Sequence, residues 1–201
     1  MNDMIEWVKE HPAMTVILGL HAFFFVLLYS DPAAGEMLLV HPDELFARPF
    51  TLFTVMFSTG AILHLILNGF LIVMFGGRLE KAVSKLTAVG IFLVTGFAAS
   101  MSLLVYAPMM SWTGDTLALS SAAAFGVTAA YAALRPDEEV VRSKAQRWVI
   151  ILLIMNVVVS LQDPDLAMMA PGHTVGIVTG WLIGYGLKQI LPASEEPITE
   201  S

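Results

Sequence analysis

Leu119-Ser120-Ser121-Ala122-Ala123-Ala124-Phe125-Gly126 is a serine pair followed by small residues, at the start of an apolar run. A hydroxyl in that setting is either packing glue between helices or a nucleophile. The choice turns on what the other apolar segments bring to the same depth. Two sets stand out: His173, at the start of the last apolar run, and His64 with Asn68, near the start of the second.

The composition makes this a membrane chain. Of 201 residues, 57% are hydrophobic and only 13% are charged, against about 25% charged in a soluble domain. A net charge of −7 makes nucleic acid an unfit partner, and with no cysteine there is neither a disulfide framework nor a thiolate site. The first residues carry Asp3, Glu6 and Glu10 and lack the basic flank of a signal peptide, so the first apolar run is expected to be retained.

Apolar runs near the roughly 20 residues that a spanning helix needs lie at about 13–30, 52–76, 86–110, 117–134, 148–162 and 171–191. The expected fold is therefore an all-α integral membrane bundle of six transmembrane helices. Residues 1–12 form a cytoplasmic N-terminal segment, 13–191 the membrane domain and 192–201 a disordered acidic tail. Basic residues orient the bundle. With the N-terminus inside, Lys9, Arg78, Lys81, Lys85, Arg135, Arg142, Lys144, Arg147 and Lys188 are all inside, and Arg48 alone of the 10 lies outside. The positive-inside rule then gives an N-in/C-in topology. The first outer loop, 31–51, contains Pro32, Pro42, Pro49, Phe46 and Phe50, and is expected to fold against the interface. Trp112, Trp148 and Trp181 lie near span ends, where interfacial anchors are expected.

Polar groups at membrane depth are costly and are candidate functional groups. His64 and Asn68 share a helix face at a spacing of four, and both can donate hydrogen bonds. Gly176, Gly180 and Gly184 follow His173 as one smooth stripe, suited to close packing on the small residues after Ser121. Each set alone also has a structural reading, as helix–helix glue or as packing surface. His21 and Asn156 have no comparable partner set and are read as structural. Together, Ser121, His173, His64 and Asn68 fall in the outer half of the bundle by the topology. A serine and a histidine supply a nucleophile and its base, and His64 and Asn68 supply donors for an oxyanion. Asp115 belongs to the loop before Ser121, so a dyad is more economical than a triad. A small transporter fits less well, because the spans show no paired interrupted halves and few interior acids.

Three motifs resemble the rhomboid family of intramembrane serine proteases, over about 45–190. The first runs from Ala47-Arg48 to Phe57, then through His64-Leu-Ile-Leu-Asn68 to Phe75-Gly76-Gly77-Arg78-Leu79-Glu80. The second is Leu119 to Gly126, and the third is His173-Thr-Val-Gly176-Ile-Val-Thr-Gly180. The resemblance implies Ser121 as nucleophile, His173 as general base, and His64 with Asn68 as oxyanion and substrate-binding donors. It makes Phe125 the aromatic against which His173 packs, with Gly126, Gly176, Gly180 and Arg48 supporting. Gly126 lies five residues after Ser121, as the family's closing glycine does after its serine, and this favours Ser121 over Ser120. Leu119 and Ala122 replace the two glycines that bracket the family's serine, and Ala47 and Ser58 also depart from the family pattern. Leu119 is expected to narrow substrate choice or to impair the hydrolytic site.

The function so implied is a serine endopeptidase that cleaves transmembrane protein substrates, needing neither metal nor cofactor. The alternative is a non-catalytic rhomboid-like protein that binds transmembrane clients. The expected location is a prokaryotic cell membrane, as a multi-pass protein whose oligomeric state is left open.

Overall fold

A computed structural model describes residues 2–112, 116–161 and 164–191. The expectations for Asp115 and for the acidic tail 192–201 lie outside the described residues. The helices are α1 (Asn2–Glu10), α2 (Pro12–Ser30), α3 (Pro32–Leu38), α4 (Thr51–Thr54), α5 (Ile62–Leu71), α6 (Gly77–Ala82), α7 (Lys85–Met109), α8 (Ser120–Leu134), α9 (Ala145–Ser160) and α10 (Pro164–Ile190). A π turn, Ile72–Gly76, joins α5 to α6 without a break. A short hairpin of β1 (Glu139–Val140) and β2 (Ser143–Lys144) links α8 to α9.

Three helical stretches are long and apolar enough to cross a membrane: Pro12–Ser30, Ile62–Ala82 and Lys85–Met109. Two shorter apolar helices, Ser120–Leu134 and Ala145–Ser160, follow. The surface is apolar where a soluble protein's would be polar: Phe23, Leu63, Ile66, Leu86, Val105 and Ile154 all face outward.

At the centre is α8, all 15 residues of which are buried. Its alanines and glycine are the reason, since they let neighbouring backbones come close. A Cβ placed on Gly176 would stand 2.4 Å from Ala122 O; on Gly180, 2.0 Å from Gly126 O; on Gly184, 2.0 Å from Ala130 O. The glycine stripe of α10 thus lies against Ala122, Gly126 and Ala130 of α8, and both rows have the four-residue period of interlocking helix ridges. Gly126 is also closed in from the other side, where a Cβ would meet Thr95 Cβ of α7 at 2.4 Å. Three hydroxyls in this core bond within their own helices: Thr95 Oγ1 donates to Ile91 O, Ser100 Oγ to Gly96 O and Thr128 Oγ1 to Ala124 O.

Two boundaries differ from the sequence expectation. The second apolar run begins at 52, yet its long helix begins at Ile62. Ser58, Thr59 and Gly60 interrupt it; Ser58 Oγ turns back to Thr54 O at 2.8 Å, so the hydroxyl bonds locally and is fully buried. The last helix starts at Pro164 rather than near 171, and Pro171 sits within it. His173 therefore lies in the third turn of α10 and does not begin the helix.

The loop 31–51 is folded, as expected. Arg48 donates to Glu36 O and pairs with the Glu44 carboxylate, and Thr54 Oγ1 donates to Leu38 O at 2.6 Å. A two-bond bridge between Val40 and Leu117 ties this loop to the extended approach to Ser120. At the other end of the bundle, the buried carboxylate of Glu80 accepts the Ala13 and Met14 N–H groups at 3.2 and 3.0 Å. It thereby satisfies donors that the start of α2 leaves free. Trp148 Nε1 donates to Val140 O at 2.9 Å, which ties α9 to the hairpin. His21 is buried, with Nδ1 2.9 Å from Ile17 O and its ring edge-on to Phe57 and Phe92, in keeping with a structural role.

Candidate active site

Three helices converge. His64 falls in the first turn of α5, Ser121 in the first turn of α8 and His173 in the third turn of α10. Their side chains line one cavity with Leu67, Phe125, Met155, Asn156 and Val159. The cavity has a volume of about 60 Å³. A water molecule needs roughly 10–15 Å³ by the same measure, so the space holds a few waters.

The α8–α10 seam explains why Ser121 and His173 meet. Ala122 is held on Gly176 in parallel register, so Ser121, one residue before, and His173, three residues before, fall within one helical turn of each other. Phe125, one turn on from Ser121, lies on the same helix face and packs on the His173 ring, with centroids 5.1 Å apart. Among the described residues no hydrogen bond joins Ser121 to His173, and the Ser121 side chain is close to fully buried.

Ser120 faces elsewhere. Its Oγ accepts from Asn68 Nδ2 at 3.0 Å, and Asn68 is fully buried. Asn68 thus lies behind the cavity and is not one of the residues lining it. His64 does line it. Of the four residues singled out on chemical grounds, three share the cavity and the fourth holds the neighbouring serine.

Asn156 requires a correction. The sequence places it among structural residues, with no partner set of its own. In the structure Asn156 Oδ1 lies 2.9 Å from His173 Nδ1. Asn156 Nδ2 donates to Ala170 O at 2.9 Å and to Thr174 Oγ1 at 3.2 Å. A lone amide in an otherwise apolar run is the one signal the residue order offers; the partners lie 14 to 18 residues away across a turn, beyond any helical spacing.

Leu119 packs away from the cavity. Its side chain is buried with Val40, Leu103 and Leu117, and does not line the cavity. Its φ of −129° is open to any residue, so the position makes no demand for glycine. Its Cδ2 would lie 3.0 Å from a Cβ on Gly172, so the bulk of Leu119 is accommodated by a glycine on α10. Arg48 acts within the loop 31–51, through Glu36 and Glu44.

A family model described as the Rhomboid domain matches residues 47–190. That is more than half of the chain, and the chain belongs to the rhomboid family. It is a multi-pass integral membrane protein with several apolar helices. The family generally comprises intramembrane serine proteases acting on transmembrane substrates. No curated protein matches the chain.

Proposed function

We propose that this protein is an intramembrane serine endopeptidase that uses Ser121 and His173 as a dyad, within six spans arranged N-in/C-in. The observation that carries this reading is the shared cavity of Ser121, His173 and His64, with Phe125 packed on the His173 ring. Packing glue would leave the hydroxyl bonded within its own helix, as Thr95, Ser100 and Thr128 are. Ser121 instead faces a water-sized space beside an imidazole.

The depth suits the chemistry. Fifteen residues of α8 rise about 22 Å at 1.5 Å each, short of the roughly 30 Å hydrocarbon layer. A helix of that length leaves its first turn below one membrane face, with room above it for water. In the reaction, His173 takes the Ser121 proton and Oγ attacks the scissile carbonyl. The oxyanion is held by His64 and by backbone N–H groups at the α8 start, while Asn68 acts from behind the cavity by holding Ser120. His173 returns the proton to the leaving amine, then activates water to hydrolyse the acyl-enzyme. Hydrogen bonds of this kind commonly tighten only when substrate is bound, so the open Ser121–His173 pair is compatible with the mechanism. Substrates whose helices carry small or helix-breaking residues are favoured, since an intact helix hides its carbonyls.

The test is cleavage of a model transmembrane substrate in liposomes. The parent is expected to cleave, and Ser121→Ala and His173→Ala to fall below detection, with fluorophosphonate labelling lost in Ser121→Ala. Equal cleavage by Ser121→Ala would sink the proposal. Absence of both cleavage and labelling in the parent, across several substrates, would leave the client-binding reading in its place. Labelling that depends on Ser120 instead would move the nucleophile by one residue.

A further inference from the structure

The orientation of the Asn156 amide is forced by its surroundings. Nδ2 donates to Ala170 O and to Thr174 Oγ1, and the Thr174 hydroxyl hydrogen is itself committed to Ala170 O at 3.0 Å. Exchanging the amide nitrogen and oxygen would set Oδ1 against the Ala170 carbonyl, acceptor against acceptor. Oδ1 therefore stands at the other end, 2.9 Å from His173 Nδ1. An amide oxygen only accepts, so Nδ1 carries the hydrogen, and in the neutral ring the lone pair is then on Nε2. Asn156 is itself buried, so bulk water does not compete strongly for this contact.

We propose that Asn156 is the positioning residue for the catalytic base. It holds His173 in the Nδ1–H tautomer and fixes the rotation of a ring that Phe125 only packs against, leaving Nε2 to take the Ser121 proton. This rests on the protease reading above. In the step itself the Ser121 O–H bond breaks, its proton goes to Nε2, and Oγ bonds to the substrate carbonyl carbon, whose π electrons move to oxygen. The imidazolium keeps its Nδ1–H on Asn156 Oδ1, a bond strengthened by the new charge. No proton passes to Asn156.

Two measurements test this together. In Asn156→Leu, kcat for the liposome substrate is expected to fall about 100-fold, the scale of a mispositioned general base, with KM within about twofold, since a residue acting through His173 alters the chemical step more than binding. Nitrogen-15 spectra of histidine-labelled protein in lipid, with the His173 signal identified by its loss in His173→Gln, are expected to show hydrogen on Nδ1 in the parent. Asn156→Leu should shift that signal towards a mixture of tautomers. Asn156→Asp, whose protonated carboxyl can donate to Ala170 O and accept from Nδ1–H, should retain the parental tautomer. A parent with hydrogen on Nε2, or Asn156→Leu cleaving at the parental rate, would overturn the inference while leaving Ser121 and His173 as the dyad. A parent that neither cleaves nor labels would instead overturn the protease reading, and the catalytic role of Asn156 with it; the parent spectrum needs no variant to fold.

Discussion

The seam between α8 and α10 and the face between α5 and α9 are built from opposite materials. Along the seam, glycines of one helix lie on backbone carbonyls of the other, with no space for a methyl group at Gly176, Gly180 or Gly184. Between α5 and α9, long side chains do the filling. Phe70 reaches Trp148 at a ring distance of 5.8 Å towards one end, and the cavity lies between Leu67, Met155 and Val159 towards the other. Backbone contacts hold two helices in fixed register, whereas flexible and apolar side chains in lipid can be exchanged for lipid tails at little cost. The candidate nucleophile and base stand on the rigid seam. Under the protease proposal, a substrate would reach them from the softer side, where Leu67, Met155 and Val159 line the cavity. A site needs that division, because reacting groups must be held to fractions of an ångström while the substrate still has to enter.

The seam is the place to break this contrast most severely. Gly180→Leu places a side chain where a Cβ already falls 2.0 Å from Gly126 O. It is expected to cost about 3 kcal/mol or more, at the upper end of overpacking, and to yield little folded protein in thermal unfolding followed in detergent. Parental stability would mean that α10 can move off α8, and the contrast would fail. Gly126→Ala should be milder and rescuable. Its methyl meets Thr95 Cβ, so adding Thr95→Gly should restore part of the loss, with a coupling of about 1–2 kcal/mol in a double-mutant cycle.

At the opposite end of the bundle, Glu80→Ala removes the acceptor of two backbone N–H groups of α2. A loss of about 2 kcal/mol is expected, typical of hydrogen bonds to a charged group, read as faster hydrogen exchange at Ala13 and Met14. On the soft face, Met155→Ala should change stability by less than about 1 kcal/mol and raise the cleavage rate of the liposome substrate, by widening the way in. A stability loss as large as that of the seam variants would show that α9 is not the softer side. The smallest effect is expected at Glu10. Lys81, bonded to it at 2.6 Å, holds its carboxyl below the usual carboxylate range. Its contribution to stability is present above the unfolded-state value and is lost as pH falls through the lowered one. Both groups are exposed, so Lys81→Ala should return the Glu10 titration, followed by carbon-13 NMR, to the ordinary range without a measurable change in unfolding.

Patterns that repeat along one helix are legible in the order of the residues. Gly176, Gly180 and Gly184 call for a close partner, and the small residues after Ser121 supply it. The physical reason is that a backbone carbonyl can approach only where side chains are missing, and their absence is written in the residues themselves. What tertiary structure alone decides depends on how each helix is rotated about its own axis. Asn68 and His64 share a helix face, yet one bonds Ser120 behind the cavity while the other lines it. Asn156 meets His173 from the preceding helix, a pairing no periodicity encodes. Leu119 stands out in the sequence as an obstacle beside the nucleophile; the fold turns it towards Gly172, and the glycine on the facing helix makes the space it needs.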